Sequence, residues 1–165
     1  MTQGKKDGYH PQFLQPADKG QKIAIIYTAW NISFTSRLLE GARAVLMEHG
    51  YSDAQIGTFE CPGAFELPLS AAWCFSKGYH AVLCLGAIIR GDTPHFDYVS
   101  SAATQGILQV GLEFKKPCIF GVLTVNTPEQ AEERIGGKHG HKGREAAETA
   151  LHMLAMQTRL EEAFI

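Results

Sequence analysis

The sequence predicts a three-layer α/β sandwich, a four-stranded parallel sheet with helices on both faces, and three observations predict it. Short apolar runs alternate with helical patterns four times along the chain, the order of a parallel sheet rather than of hairpins. The third run, Ala81-Val-Leu-Cys-Leu, is apolar at every position, as in a strand covered on both sides. The helical patterns stop at Gly50 and Gly78, and the longest is followed by Pro117, which is how helices are commonly ended. Right-handed crossovers then make the sandwich doubly wound and flavodoxin-like, with ligands expected at the carboxyl ends of the strands.

Each element has its own reason. Residues 1–21 are rich in Gly, Pro, Lys and Gln and read as an arm; residues 22–165 read as one domain. Lys22 to Thr28 is a branched apolar run, a buried strand. Ser33 to His49 carries Leu38, Leu39, Ala42, Val45 and Leu46 on one helical face. Ile56 to Glu60 is a second short strand, Phe65 to Lys77 a second helix, and Ala81 to Ile88 the third strand. Thr93-Pro94 opens the clearest helix, with Phe96, Val99, Ala103, Ile107, Val110 and Phe114 three or four apart. A fourth strand follows from Cys118 to Thr124. Thr127-Pro128-Glu129-Gln130 has the form of a capping box with proline at the first helical position. That short helix ends at Gly136-Gly137, a basic flexible link containing Lys138 and Gly140 follows, and a last helix runs from about Lys142 to Leu160. It carries Ala146, Ala150, Met153, Leu154 and Met156.

Bulk properties narrow the function. With 165 residues, 45% hydrophobic and 19% charged, the chain can bury a real core. A formal net charge of −2 gives no basic face for a nucleic-acid backbone. No apolar run reaches membrane-spanning length and residues 1–21 have no signal-peptide core, so the expectation is a cytoplasmic protein without membrane or nucleic-acid partners. Cys61, Cys74, Cys84 and Cys118 lack the spacing of a zinc or redox motif and read as reduced, small hydrophobes. His139 and His141 form no metal signature, and neither has a function in this reading. There is no Walker loop, no Gly-x-Gly-x-x-Gly after the first strand and no nucleophile elbow. No cofactor is expected.

The polar turns at the strand ends carry the chemistry. Trp30 stands just past the first strand, where its ring can stack on a planar heterocycle or simply fill a core. Pro62-Gly63-Ala64 followed by Phe65-Glu66 sets a carboxylate at a helix start, suited to a polyol or merely to the helix dipole. The Arg90 to His95 turn leads into a helix N-terminus, a natural anion site, with a histidine one turn away to exchange a proton. Arg134 ends the short helix, where a cation is favoured anyway.

Four motifs stand out together: Pro62-Gly-Ala-Phe-Glu-Leu-Pro68, Gly86-Ala-Ile-Ile-Arg-Gly-Asp-Thr-Pro-His-Phe-Asp-Tyr-Val99, Phe120-Gly-Val-Leu-Thr124, and Glu129-Gln-Ala-Glu-Glu-Arg134 with Lys142-Gly143 beyond. With them the chain resembles lumazine synthase, an enzyme family of riboflavin biosynthesis, across residues 22–159. The resemblance implies a transferase that condenses 5-amino-6-(D-ribitylamino)uracil with 3,4-dihydroxy-2-butanone 4-phosphate. The products are 6,7-dimethyl-8-ribityllumazine, phosphate and water, without metal or cofactor. By position, Trp30 matches the residue that stacks on the pyrimidine, and Asn31, Ala64, Phe65 and Glu66 match contacts to the ribityl chain. Ala87 and Ile88 match backbone contacts to the heterocycle, Asp92 and Thr93 the phosphate turn, and Arg134 the phosphate-binding arginine. His95 matches the proton-transfer residue, Phe120 a contact from the adjoining subunit, and Lys142 and Glu145 a lysine and an acid near the site.

Two positions depart from the pattern. Trp30 is a larger platform than the phenylalanine usual in the family, and Asp92 puts a carboxylate beside a phosphate, so its side chain is expected to turn outward. The resemblance also implies pentamers with sites shared between subunits, in many members closed into an icosahedral capsid of twelve pentamers, and association with riboflavin synthase. Two other readings stay open: a flavin- or lumazine-binding relative with weak catalysis, and a shell protein. The residues at the phosphate positions speak for the enzyme.

Overall fold

The computed structural model describes residues 20–164; most of the expected arm lies outside them. Four parallel strands form one sheet in the order β2-β1-β3-β4. They are β1 (Ile23–Thr28), β2 (Ile56–Cys61), β3 (Ala81–Ile89) and β4 (Cys118–Val125). The helices are α1 (Ile32–Glu48), α2 (Leu67–Ser76), α3 (His95–Phe114), the short α4 (Pro128–Glu132) and α5 (Lys142–Glu162). The fold class read from the pattern is the one observed.

Strand alternation explains the layers. Ile23 and Ile25 of β1 and Leu83 and Leu85 of β3 point to one side, where they pack on Leu38, Val45, Ala146 and Leu154 of α1 and α5. Ala24, Ile26, Val82 and Cys84 point to the other, against Leu67, Phe75, Ala103 and Ile107 of α2 and α3. Being central, β3 is buried along nearly its whole length, whereas β2 at the sheet edge is largely open. On the first side α1 and α5 come very close. A Cβ added to Gly143 would lie 2.1 Å from the Leu38 carbonyl oxygen, so only glycine permits this helix spacing.

Three expectations are corrected. The basic link is ordered as an antiparallel hairpin, β5 (Ile135–Gly137) and β6 (Gly140–His141), which runs straight into α5. Positive φ at Gly136 and Gly140 permits that turn. The helix expected from Phe65 begins instead as a 3₁₀ turn, Ala64–Glu66, before α2 takes over with Pro68 in its first turn. On α5, Ala146, Ala150 and Leu154 are buried as their spacing suggests, but Met153 and Met156 face outward. The cysteines are all free, and Cys118 is only partly buried, with its sulfur 4.0 Å from that of Cys84.

Candidate functional site

The carboxyl ends of β1, β2 and β3 meet in a rim held by the backbone. The Ala29 and Trp30 amides donate to the carbonyls of Cys61 and Pro62 at 2.8 and 3.0 Å. Asn31 takes the left-handed conformation (φ 61°), which Asn tolerates better than most residues, and its Nδ2 donates to the Ala87 carbonyl at 2.8 Å. These bonds fix the three strand ends relative to one another.

Trp30 is not a core residue: 65% of it is exposed. Its ring lies over Gly63, where an added Cβ would come within 2.3 Å of Cε3. Glu66 borders the same spot, and its Oε2 accepts the Gly63 amide at 3.1 Å. Phe65 is exposed beside it, while Ala64, Ala87 and Ile88 have buried side chains. The last three can therefore offer a ligand backbone groups only. Burial pushes the thiol of nearby Cys61 up to about 11, with the Glu66 carboxylate adding to the effect. At neutral pH it is a protonated thiol, not a nucleophile.

Past β3 the chain makes an exposed turn. Gly91, Asp92, Thr93, Pro94 and His95 are all open to solvent. The expected anion-binding amides are partly engaged, since His95 N–H donates to Thr93 Oγ1 at 3.4 Å and Asp97 N–H to the Pro94 carbonyl at 2.9 Å. Both contacts shape the entry to α3, so a ligand there competes with them or sits beside them.

A second group lines a groove of ≈ 880 Å³ along β4 between α3 and α5. Phe120, Arg134, Lys142 and Glu145 border it, over a floor that includes Leu108, Leu112 and Met153. Lys142 Nζ donates to Glu145 Oε2 at 2.8 Å, one helical turn apart. The backbone amide of Lys142 also donates to the Arg134 carbonyl at 2.9 Å, so the hairpin brings the two cations together. Arg134 Nη1 donates to the Gln130 carbonyl at 2.8 Å. Among the described residues no carboxylate forms an ion pair with Arg134, leaving most of its fork for an anion.

Phe120 of the groove stands apart from the rim within one chain. Ala87 at the rim pairs with Leu123 of β4, and Phe120 stands three residues earlier on that strand. At about 3.3 Å per residue that is roughly 10 Å down the sheet. Two residues have roles that the sequence did not reveal. Arg90 reaches both Asn126 and Asp97, a long-range pairing with no local signature. His141 caps α5, its Nδ1 accepting the Arg144 amide at 3.4 Å, and only the unpredicted hairpin places it there. His139 pairs with Glu133, Nε2 to Oε2 at 3.4 Å. Among the described residues no group of three or more His, Cys, Asp or Glu is arranged to hold a metal ion.

The family model for 6,7-dimethyl-8-ribityllumazine synthase matches residues 20–158. A protein of that name from Cytophaga hutchinsonii is 52% identical over 81% of this chain and 84% of its own length. One from Sulfurospirillum multivorans is 49% identical over 86% and 91%. One from Porphyromonas gingivalis is 46% identical over 86% and 89%. The match takes in both the strand-end rim and the β4 groove, and the chain belongs to the 6,7-dimethyl-8-ribityllumazine synthase family.

Proposed function

We propose that the chain carries out the reaction its family is named for, with the rim and the groove as two halves of one active site. The reaction condenses 5-amino-6-(D-ribitylamino)uracil with 3,4-dihydroxy-2-butanone 4-phosphate. The primary amine adds to the ketone and water leaves. A carbon then gives up a proton and the C–O bond to phosphate breaks, its electron pair departing with the phosphate. That leaves an enol at the hydroxyl-bearing carbon, which tautomerises to a new ketone, and the second amine closes the ring on this ketone with loss of a second water.

In this reading Trp30 stacks on the pyrimidine, while Asn31, Ala64, Phe65 and Glu66 hold the ribityl chain and its polar neighbours. Ala87 and Ile88 address the heterocycle through the backbone. Thr93 and the Asp92 peptide flank the phosphate, with the exposed Asp92 carboxylate turned to solvent. Arg134 neutralises the leaving phosphate, and His95 moves protons to and from the adding amine and the departing water. Lys142 and Glu145, already paired, keep the groove end polar beside Phe120. Orientation of two bound substrates supplies much of the remainder, up to about 7–11 kcal/mol in favourable cases.

The observation that carries the reading is the match over residues 20–158 combined with an Arg134 in the groove that has no carboxylate partner among the described residues. The separation of Phe120 from the rim supports a site completed by a second copy, one chain giving the rim and its neighbour the groove. The assembly we infer is a pentamer, with a capsid of twelve pentamers and binding of riboflavin synthase as further steps. No helix among the described residues is long and apolar enough to cross a membrane, which is compatible with a cytoplasmic location.

The test is an assay with both substrates that follows lumazine absorbance and free phosphate together. One phosphate per lumazine is the expected result. Tight binding of lumazine or riboflavin by a folded assembly without turnover would replace the enzyme by a binding protein.

A further inference from the structure

We propose that Arg90 is a positioning residue, whose guanidinium clamps the 91–95 turn to the corner between β4 and α4 and thereby shapes the seat of the phosphorylated substrate. The inference rests on the reading of that turn as a phosphate site.

Residues 91–95 are exposed, and among the described residues their side chains make one hydrogen bond, the long contact from His95 N–H to Thr93 Oγ1. Such a segment has many conformations to choose from, and fixing it has an entropic cost. Arg90 stands at its base and is held at four points. Its backbone N–H donates to the Val125 carbonyl at 2.9 Å. Its Nε donates to Asn126 Oδ1 at 3.0 Å, on the β4–α4 corner. Its Nη2 donates to Asp97 Oδ1 at 3.1 Å, in the first turn of α3. The flat face of the guanidinium lies 4.1 Å from the centroid of the Phe96 ring. The two ends of the turn are thus tied to a common point by one rigid group.

The same corner leads to Arg134. The Asn126 N–H donates to Gln130 Oε1 at 2.8 Å, and the Gln130 carbonyl receives Arg134 Nη1 at 2.8 Å. Arg90 therefore braces both the phosphate turn and, through Asn126 and Gln130, the short helix α4 on whose Gln130 carbonyl the Arg134 guanidinium rests.

Geometry also separates this role from direct phosphate binding. The Nε and one Nη of Arg90 point at Asn126 and Asp97, and one face is covered by Phe96, so its strongest directions are already spent on protein. Lysine supplies the same charge but neither the two-directional fork nor the stacking face. That difference makes Arg90→Lys the informative variant.

The experiment is steady-state kinetics of the assembled full chain with each substrate varied in turn, and inorganic phosphate as a competing probe. For Arg90→Lys we expect KM for the phosphorylated substrate and the inhibition constant of inorganic phosphate to rise about tenfold, with KM for the aminopyrimidine within about twofold, as for loss of charge-assisted hydrogen bonds. Asn126→Ala should reproduce about a threefold part of it. The double variant should fall short of the product of the two single effects, because both remove one contact. Unchanged constants in Arg90→Lys, an equal rise in both KM values, or fully multiplicative effects would each overturn the proposal. If Arg90→Lys fails to fold by circular dichroism, Asn126→Ala alone decides the matter on the same two KM values. Absence of competition between inorganic phosphate and the phosphorylated substrate in the unaltered protein would instead sink the phosphate reading of the turn. Competition there, with inhibition unchanged in Arg90→Lys, would sink the clamp alone.

Discussion

The rim at the strand ends and the groove beside β4 are built on opposite principles. At the rim, three strands are stapled by backbone amides and by the Asn31 side chain on the Ala87 carbonyl, and a glycine opens the space for the Trp30 ring. Its chemistry is shape, suited to a flat ring and its polar edge. In the groove the functional groups are ends of long side chains on an apolar floor, and one cation has no carboxylate partner among the described residues. Its chemistry is charge, suited to a phosphate. A substitution at the rim should therefore act through geometry and one in the groove through electrostatics, and the contrast can be broken experimentally.

The largest effect is expected in the groove. Arg134→Ala should lower kcat/KM for the phosphorylated substrate by about a thousandfold, the upper range for one lost charge-stabilising donor. KM for the aminopyrimidine measured beside it should hardly move, and a loss confined to the pyrimidine would erase the distinction between the two regions. His95→Ala comes next. With orientation intact, turnover should slow by about a hundredfold without vanishing, the lower range for general acid–base catalysis. Single-turnover formation of lumazine is the measurement, and complete inactivity would give His95 more than proton transfer.

At the rim, Gly63→Ala should act on shape alone. The added methyl displaces an exposed indole, so KM for the aminopyrimidine should rise about tenfold, comparable to the 1–3 kcal/mol that stacking on an aromatic ring supplies. The melting temperature should stay close to that of the unaltered protein, and tryptophan quenching by ligand should weaken in parallel. A large fall in stability would mean the rim is structural rather than recognitive.

The smallest effect is at His141. Burial lowers its pKa from 6.5, and the charges of Arg144 and Arg37 act in the same direction against Glu145. The neutral ring accepts the Arg144 amide. With the folded pKa depressed, stability is fully present above 6.5 and is lost as pH falls below it toward the folded value. His141→Ala should cost about 1 kcal/mol at neutral pH through loss of the helix cap. His141→Asn should keep the cap and flatten the acid side of the melting-temperature curve. An unchanged acid limb in His141→Asn would assign the pH dependence to another group.

Much of this was written in local sequence. Apolar runs, glycine stops and the proline-led cap at Thr127 specify the strands, the helices and their parallel order, because each reflects a short-range preference repeated along the chain. The motifs at the strand ends were legible for the same reason, since a parallel sheet sends its ligand turns to one edge. Long-range contact was not legible. The hairpin at Ile135–His141 has only five strand residues and a glycine-rich turn, too little periodicity to announce a strand. Met153 and Met156 share the spacing of a core face, but the space under them is an open groove rather than another helix.

Local sequence alone was enough to specify the sheet, the two helical layers and the polar turns at the strand ends. That Trp30 is exposed rather than buried, that Arg90 reaches across to Asn126, and that Phe120 lies apart from the rim emerge only once the layers pack. The physical reason is separation along the chain. Spacing encodes what a residue meets within a turn or a strand, whereas contacts between residues tens of positions apart exist only after the layers have packed.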